Sequence, residues 1–159
     1  MVEDLNGNVN IVNLIHKGGI YIDVEGSNPK EIFDFISKRI QLPEGMTAEY
    51  VSNALASREQ VLSTAVGNGI ALPHARSPIM KSEEDQRIVV AYLKKPLNMN
   101  APDEKDVYVM FILLTSNQQI HLKVLTSLAG LFRNARFRKA LESKAGEAEL
   151  ASLILELDK

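Results

Sequence analysis

Cysteine and tryptophan are both absent from the 159 residues. Without a thiol the chain has no disulfide framework, no thiol nucleophile and no thiolate ligand for a metal, and it suits a reducing compartment. An excess of either charge is missing too: 18 basic and 20 acidic residues are interspersed, for a formal net charge of −2 and a pI near 5.9. With that balance, and with aromatics at only 6%, nothing in the composition points to nucleic acid. No apolar run reaches the roughly 18 residues a membrane span needs. The first ten residues, MVEDLNGNVN, are acidic and polar, unlike the basic and then apolar start of a signal peptide. The chain also has no G-x-x-x-x-G-K-[ST] loop or other nucleotide or cofactor motif. These absences predict a cytoplasmic protein with no cofactor, no nucleic-acid partner and no membrane insertion of its own.

The composition is 45% hydrophobic and 24% charged, that of one globular domain with a sizeable core. Residues 1–10, with Gly7 and three asparagines, read as a loose tail, and the domain is expected over 11–159. Ile11 to Ile15 is an apolar run ending in a turn at His16-Lys17-Gly18-Gly19, where His16 reads as an ordinary surface histidine. Ile20 to Val24 reads as a strand. Asn28 as cap, Pro29 in the first turn and Glu31 three residues after the cap open a helix that carries Ile32, Phe33, Phe35, Ile36 and Ile40 inward and stops before Pro43. A second helix is predicted from Thr47, with Tyr50, Val51, Ala54 and Leu55 inward and Arg58 in its last turn. Lys81 to Gln86 reads as a solvated loop. Ile88 to Leu93 and Val107 to Leu114 read as strands, the second buried on both faces, joined by a loop over Pro96 to Lys105. Ser116 and Gln119 form a capping box for a helix in which His121, Leu125, Leu128 and Phe132 share the inward face. Two amphipathic segments, Ala135 to Ser143 and Glu147 to Leu157, close the chain around Gly146. The fold class expected is α/β: a single domain with a mixed sheet flanked by α-helices on both faces.

The chemistry concentrates in Ser57 to Arg76. Gly67-Asn68-Gly69 is a turn, since glycine reaches positive φ at little cost and asparagine is the next most tolerant, and its backbone N–H groups could face an anion. Pro73 drives Leu72 into an extended conformation, so His74 is delivered from the end of a short strand. Taken alone, the Pro-His pair has an ordinary reading as a histidine filling a gap beside a turn. Arg58, near a helix C-terminus, has one as well, complementing the helix dipole, beside the functional reading in which its fork reaches phosphate oxygens. His121 reads either as a histidine at the edge of the core or, near a helix N-terminus, as a neutral donor to an anion.

Arg58-Glu59, Ser63-Thr64, Gly67-Asn68-Gly69-Ile70-Ala71-Leu72-Pro73-His74 and, much later, His121-Leu122 together resemble the enzyme IIA component of the bacterial phosphoenolpyruvate-dependent phosphotransferase system, in its type-2 branch of fructose, mannitol and nitrogen-regulatory members. The likeness runs from about Ile11 to Leu157. Ala65 and Ala75 depart from it, both at places where the family commonly has glycine. The resemblance implies that His74 takes a phosphoryl group on Nε2 from the carrier HPr, with Arg58, His121 and the Gly67 to Gly69 turn stabilising its charge. It further implies that the group passes to a cysteine of a separate enzyme IIB, or that its presence regulates another protein, with the regulatory type favoured over sugar transport. A different class is a binding module in which His74 and His121 coordinate a metal. A zinc site normally needs three or four ligands, and neither histidine has a second ligand at helical or strand spacing, so no metal is expected.

Overall fold

The computed structural model describes residues 9–157. Residues 1–8 of the expected tail lie outside that range; within it, Val9 is buried and the Asn10 side chain caps the first helix. The apolar run after it is that helix, α1 (Ile11–Gly18), with Leu14 and Ile15 buried and His16 in the last turn. His16 is exposed, and its Nδ1 meets a carboxylate oxygen of Glu147 at 2.8 Å. Gly18 lets α1 lie against the sheet, because a Cβ there would sit 1.8 Å from the Ile88 carbonyl oxygen.

After β1 (Ile20–Val24) comes α2 (Pro29–Ser37), begun as its cap and proline dictate: the Asn28 side chain accepts from the Glu31 N–H. The Glu31 carboxylate reaches back one residue further than a simple capping box, to the Ser27 N–H at 2.9 Å. Next, α3 (Ala48–Glu59) is capped by Thr47. Its inner face is Val51, Ser52, Leu55 and Ala56, and Tyr50, expected inward, is 53% exposed. The buried serine explains the shift: Ser52 Oγ, bridging Asp34 and Lys30 of α2, belongs to the packed face, which rotates Tyr50 outward.

The strands β2 (Ala65–Gly67), β3 (Ile70–Ala71), β4 (Arg87–Leu97) and β5 (Val107–Leu114) join β1 in one sheet of order β1-β4-β5-β3-β2. It is mixed: β1 runs parallel to β4 and β3 to β5, while β4–β5 and β2–β3 are antiparallel. Strand alternation then divides the core between two faces. Ile70, Leu72, Val109, Phe111 and Leu113 pack with α1, α4 (Gln118–Phe132), α5 (Ala135–Glu142) and α6 (Glu147–Leu157). Ala71, Met110, Ile112 and Leu114 pack with α2 and α3. The α/β class, the mixed sheet and its two helical covers agree with the sequence. Three local details differ, the first being that β4 runs on through Pro96 to Leu97, which pairs with Val107, where a loop was expected. Gln86 of the supposedly solvated loop is fully buried, its Oε1 accepting from the Ser116 N–H at 2.7 Å. The cap of α4 is Asn117 rather than Ser116, because the Ser116 N–H is committed to Gln86 and the Asn117 carboxamide accepts from Ile120.

Candidate functional site

His74 lies three residues past the carboxyl end of the short strand β3 (Ile70–Ala71). Leu72 N–H donates to the Thr64 carbonyl at 3.0 Å, Leu113 N–H donates to the Pro73 carbonyl at 2.9 Å, and His74 itself bridges to Leu113 in parallel register. Pro73, which lacks an N–H to lose, thus continues the strand line along β5 and presents the imidazole on a stiff backbone. Its Nδ1 stands 2.8 Å from the Leu72 carbonyl oxygen. A carbonyl can only accept, so Nδ1 carries the hydrogen and Nε2 holds the free lone pair.

Behind this mount stands a residue whose role the sequence reading did not assign. Glu59, the last residue of α3, accepts from the Thr64 N–H and from the Thr64 hydroxyl, both at 2.7 Å. The Thr64 carbonyl holds Leu72, and the Leu72 carbonyl holds His74, so one carboxylate anchors the backbone that fixes the ring. The signal in the sequence was the adjacency of Glu59 to Arg58.

His121 comes from the fourth residue of α4, where the Asn117 cap starts the helix. Its ring centroid is 4.7 Å from that of His74, with the planes tilted by 58°, so the two histidines, far apart in the sequence, converge as expected. The His121 Nδ1 is 3.2 Å from the hydroxyl of Thr115, a buried residue just beyond β5 that the sequence reading also passed over. Burial lowers the pKa of both imidazoles. For His74 the Arg58 charge adds to that, against the opposing effects of the Leu72 bond and Glu59. For His121 burial and the neighbouring His74 bring the value to about 4. Both rings are therefore neutral at neutral pH.

The two histidines open onto one cavity of 220 Å³, lined also by Arg76, Thr115, Gln118 and Leu125. Arg58 is absent from that lining. Its guanidinium donates to the Leu62 carbonyl at 2.5 Å, and it reaches His74 through its field. The Gly67-Asn68-Gly69 turn is a tight hairpin with positive φ at all three residues, and it too is absent from the cavity lining. One amide of this turn already has a partner within the protein. The Asn68 N–H donates to the Asp103 carboxylate at 2.8 Å, so an acidic side chain occupies the amide an anion was to use. Gly69 is required by packing, since a Cβ would fall 2.4 Å from the Tyr108 ring. Among the described residues no group of three or more His, Asp or Glu side chains is placed to hold a metal ion. No helix of the described residues is long and apolar enough to cross a membrane.

The family model described as "Phosphoenolpyruvate-dependent sugar phosphotransferase system, EIIA 2" matches residues 13–157. A nitrogen regulatory protein of Pseudomonas aeruginosa is 26% identical over 153 residues, covering 94% of this chain and 97% of that protein. The crystal structure of the nitrogen regulatory protein IIA-Ntr from Neisseria meningitidis superposes with a TM-score of 0.72 at 27% identity, covering 91% of this chain and 98% of that one. Enzyme IIAMTL of Escherichia coli, in its complex with phosphorylated enzyme IIBMTL, gives a TM-score of 0.61 over 85% of this chain and 94% of that one; at 19% identity it speaks for the fold alone.

Proposed function

Because the chain belongs to the phosphoenolpyruvate-dependent sugar phosphotransferase system EIIA 2 family, we propose that it is a phosphoryl carrier whose His74 Nε2 accepts the group from a phosphohistidine carrier of the HPr type. The observation that carries this reading is the 2.8 Å contact between His74 Nδ1 and the Leu72 carbonyl, which leaves Nε2 as the nucleophile. In the step, the Nε2 lone pair attacks phosphorus, the donor's P–N bond breaks with its electron pair left on the donor nitrogen, and a P–Nε2 bond forms. No proton changes hands. The ring gains positive character, which the Leu72 carbonyl stabilises through the Nδ1 hydrogen.

Positioning and charge supply most of the catalysis in such a transfer. With the Thr115 hydroxyl donating to His121 Nδ1, the His121 Nε2–H is free to donate to a phosphoryl oxygen beside His74. Arg58 contributes field from outside the cavity. The Asn68 turn has no part in this reading, since Asp103 holds its amide.

Discharge goes to a cysteine of a separate enzyme IIB, or the phosphorylated state acts on a regulatory target. Likeness to nitrogen regulatory proteins along nearly the whole chain favours the regulatory use. Membership of a sugar phosphotransferase family keeps sugar transport as the second reading. The carrier function is tested by incubation with labelled phosphoenolpyruvate, enzyme I and HPr: the wild type takes one label and His74→Ala takes none. The two uses separate on discharge. Slow loss to fructose or mannitol IIB domains is expected of a regulator, and rapid stoichiometric loss followed by sugar phosphate formation would establish transport.

A further inference from the structure

The residue that brings positive charge to the cavity itself is Arg76. It follows His74 by two positions, and both residues line the same 220 Å³ space with Gln118 and His121. Arg76 is exposed, and no hydrogen bond or ion pair with another described residue engages it. Arg58 differs on both counts, being bonded to the Leu62 carbonyl and absent from the lining. A phosphoryl group on His74 Nε2 would bring up to two negative charges into a space whose two imidazoles are neutral and whose other lining residues, Arg76 apart, carry no charge. The one lining side chain with permanent positive charge and free donors is the Arg76 guanidinium, whose planar fork matches two phosphoryl oxygens.

We infer that Arg76 clasps the phosphoryl group once it is on His74, acting as a binding residue of the phosphorylated state. This rests on the carrier reading above and assigns the charge partner of the loaded form within the same site. A guanidinium against the phosphoryl oxygens favours the dianion, so the phosphoryl ionises at lower pH than it would unpartnered.

The test uses the whole protein charged with phosphoramidate, a small chemical donor that needs no partner protein, and follows the phosphorus NMR shift against pH. In the wild type the phosphoryl ionisation should fall about half a unit to one unit below that of Arg76→Ala, a modest shift because the side chain is solvated. Arg76→Lys should lie between them, and Arg76→Gln should match Arg76→Ala. Coincident titrations for all four proteins would overturn the assignment while leaving the carrier function standing. A wild type that takes no phosphoryl on His74 would overturn the carrier reading and the Arg76 role together. Circular dichroism of each variant separates these results from loss of fold.

Discussion

Leu72 and His74, two residues apart in the segment that follows β3, are joined by a hydrogen bond of 2.8 Å from ring to backbone, and His74 bridges to Leu113 of β5. The tautomer of the working histidine is thus set by main chain, which no side-chain substitution nearby removes directly. Changes at a distance act on it through that main chain, and the first prediction concerns such a change.

Replacing Glu59 by alanine removes the acceptor of two bonds from Thr64. Charge-assisted bonds of this kind contribute about 1.5–3 kcal/mol each before relaxation. Glu59→Ala should lower unfolding stability by about 2 kcal/mol and reduce phosphoryl uptake, with the His74 ring shifting toward a tautomer mixture by nitrogen NMR. Unchanged tautomer and uptake would show that Glu59 does not act on His74.

Thr115→Val keeps shape but removes the hydroxyl at His121 Nδ1. A bond of this class contributes about 1 kcal/mol, so phosphoryl transfer should slow about fivefold while stability changes little. Stopped-flow transfer from a phosphorylated HPr measures the rate, and a variant as fast as the wild type would remove Thr115 from the mechanism.

The pH behaviour follows from burial. His74 and His121 have pKa values below the ordinary 6.5, so the unfolded chain binds their protons at a higher pH than the folded one does. Their contribution to stability is complete above pH 6.5 and is lost as pH falls from there toward about 4, the value for His121. Uptake, which needs a neutral His74, should stay flat through pH 6.5 and decline only below it. Urea midpoints and transfer rates between pH 8 and 4.5 check both. A bell centred on pH 6.5 would contradict the neutral rings.

Gly69→Ala tests whether the hairpin turn is structural. Its φ of +79° and the Tyr108 ring 2.4 Å from a new Cβ predict a loss of about 2–4 kcal/mol, from strain and overpacking together. The variant that remains folded at low temperature should still take the phosphoryl group, because the turn lies off the cavity. Thermal melts and labelling at 4 °C measure the two.

Where local chemistry decides the structure, the sequence was readable. Asn28-Pro29 and Thr47 begin their helices, and the β-branched run of β5 is the central buried strand. Pro73 delivers His74 extended, and the periodicity of α4 places His121 toward it. What escaped reading depends on partners distant in the chain. The burial of Gln86 follows from the Ser116 amide 30 residues later, and the Asn68 amide is met by Asp103, 35 residues on. No pattern near either residue signals such a pairing. Arg58 has a charge suited to phosphate, but the geometry of the last turn of α3 turns its guanidinium to the Leu62 carbonyl, whereas Arg76, two residues past the motif that ends at His74, lines the cavity.

The most direct measurement is nitrogen and phosphorus NMR of the ring-labelled protein after phosphorylation by HPr. The Leu72 bond predicts a single phosphorylated residue, His74, with phosphorus coupled to Nε2 and the hydrogen kept on Nδ1. Phosphorus coupled to Nδ1 of His74, or carried by His121 or His16 instead, would contradict it.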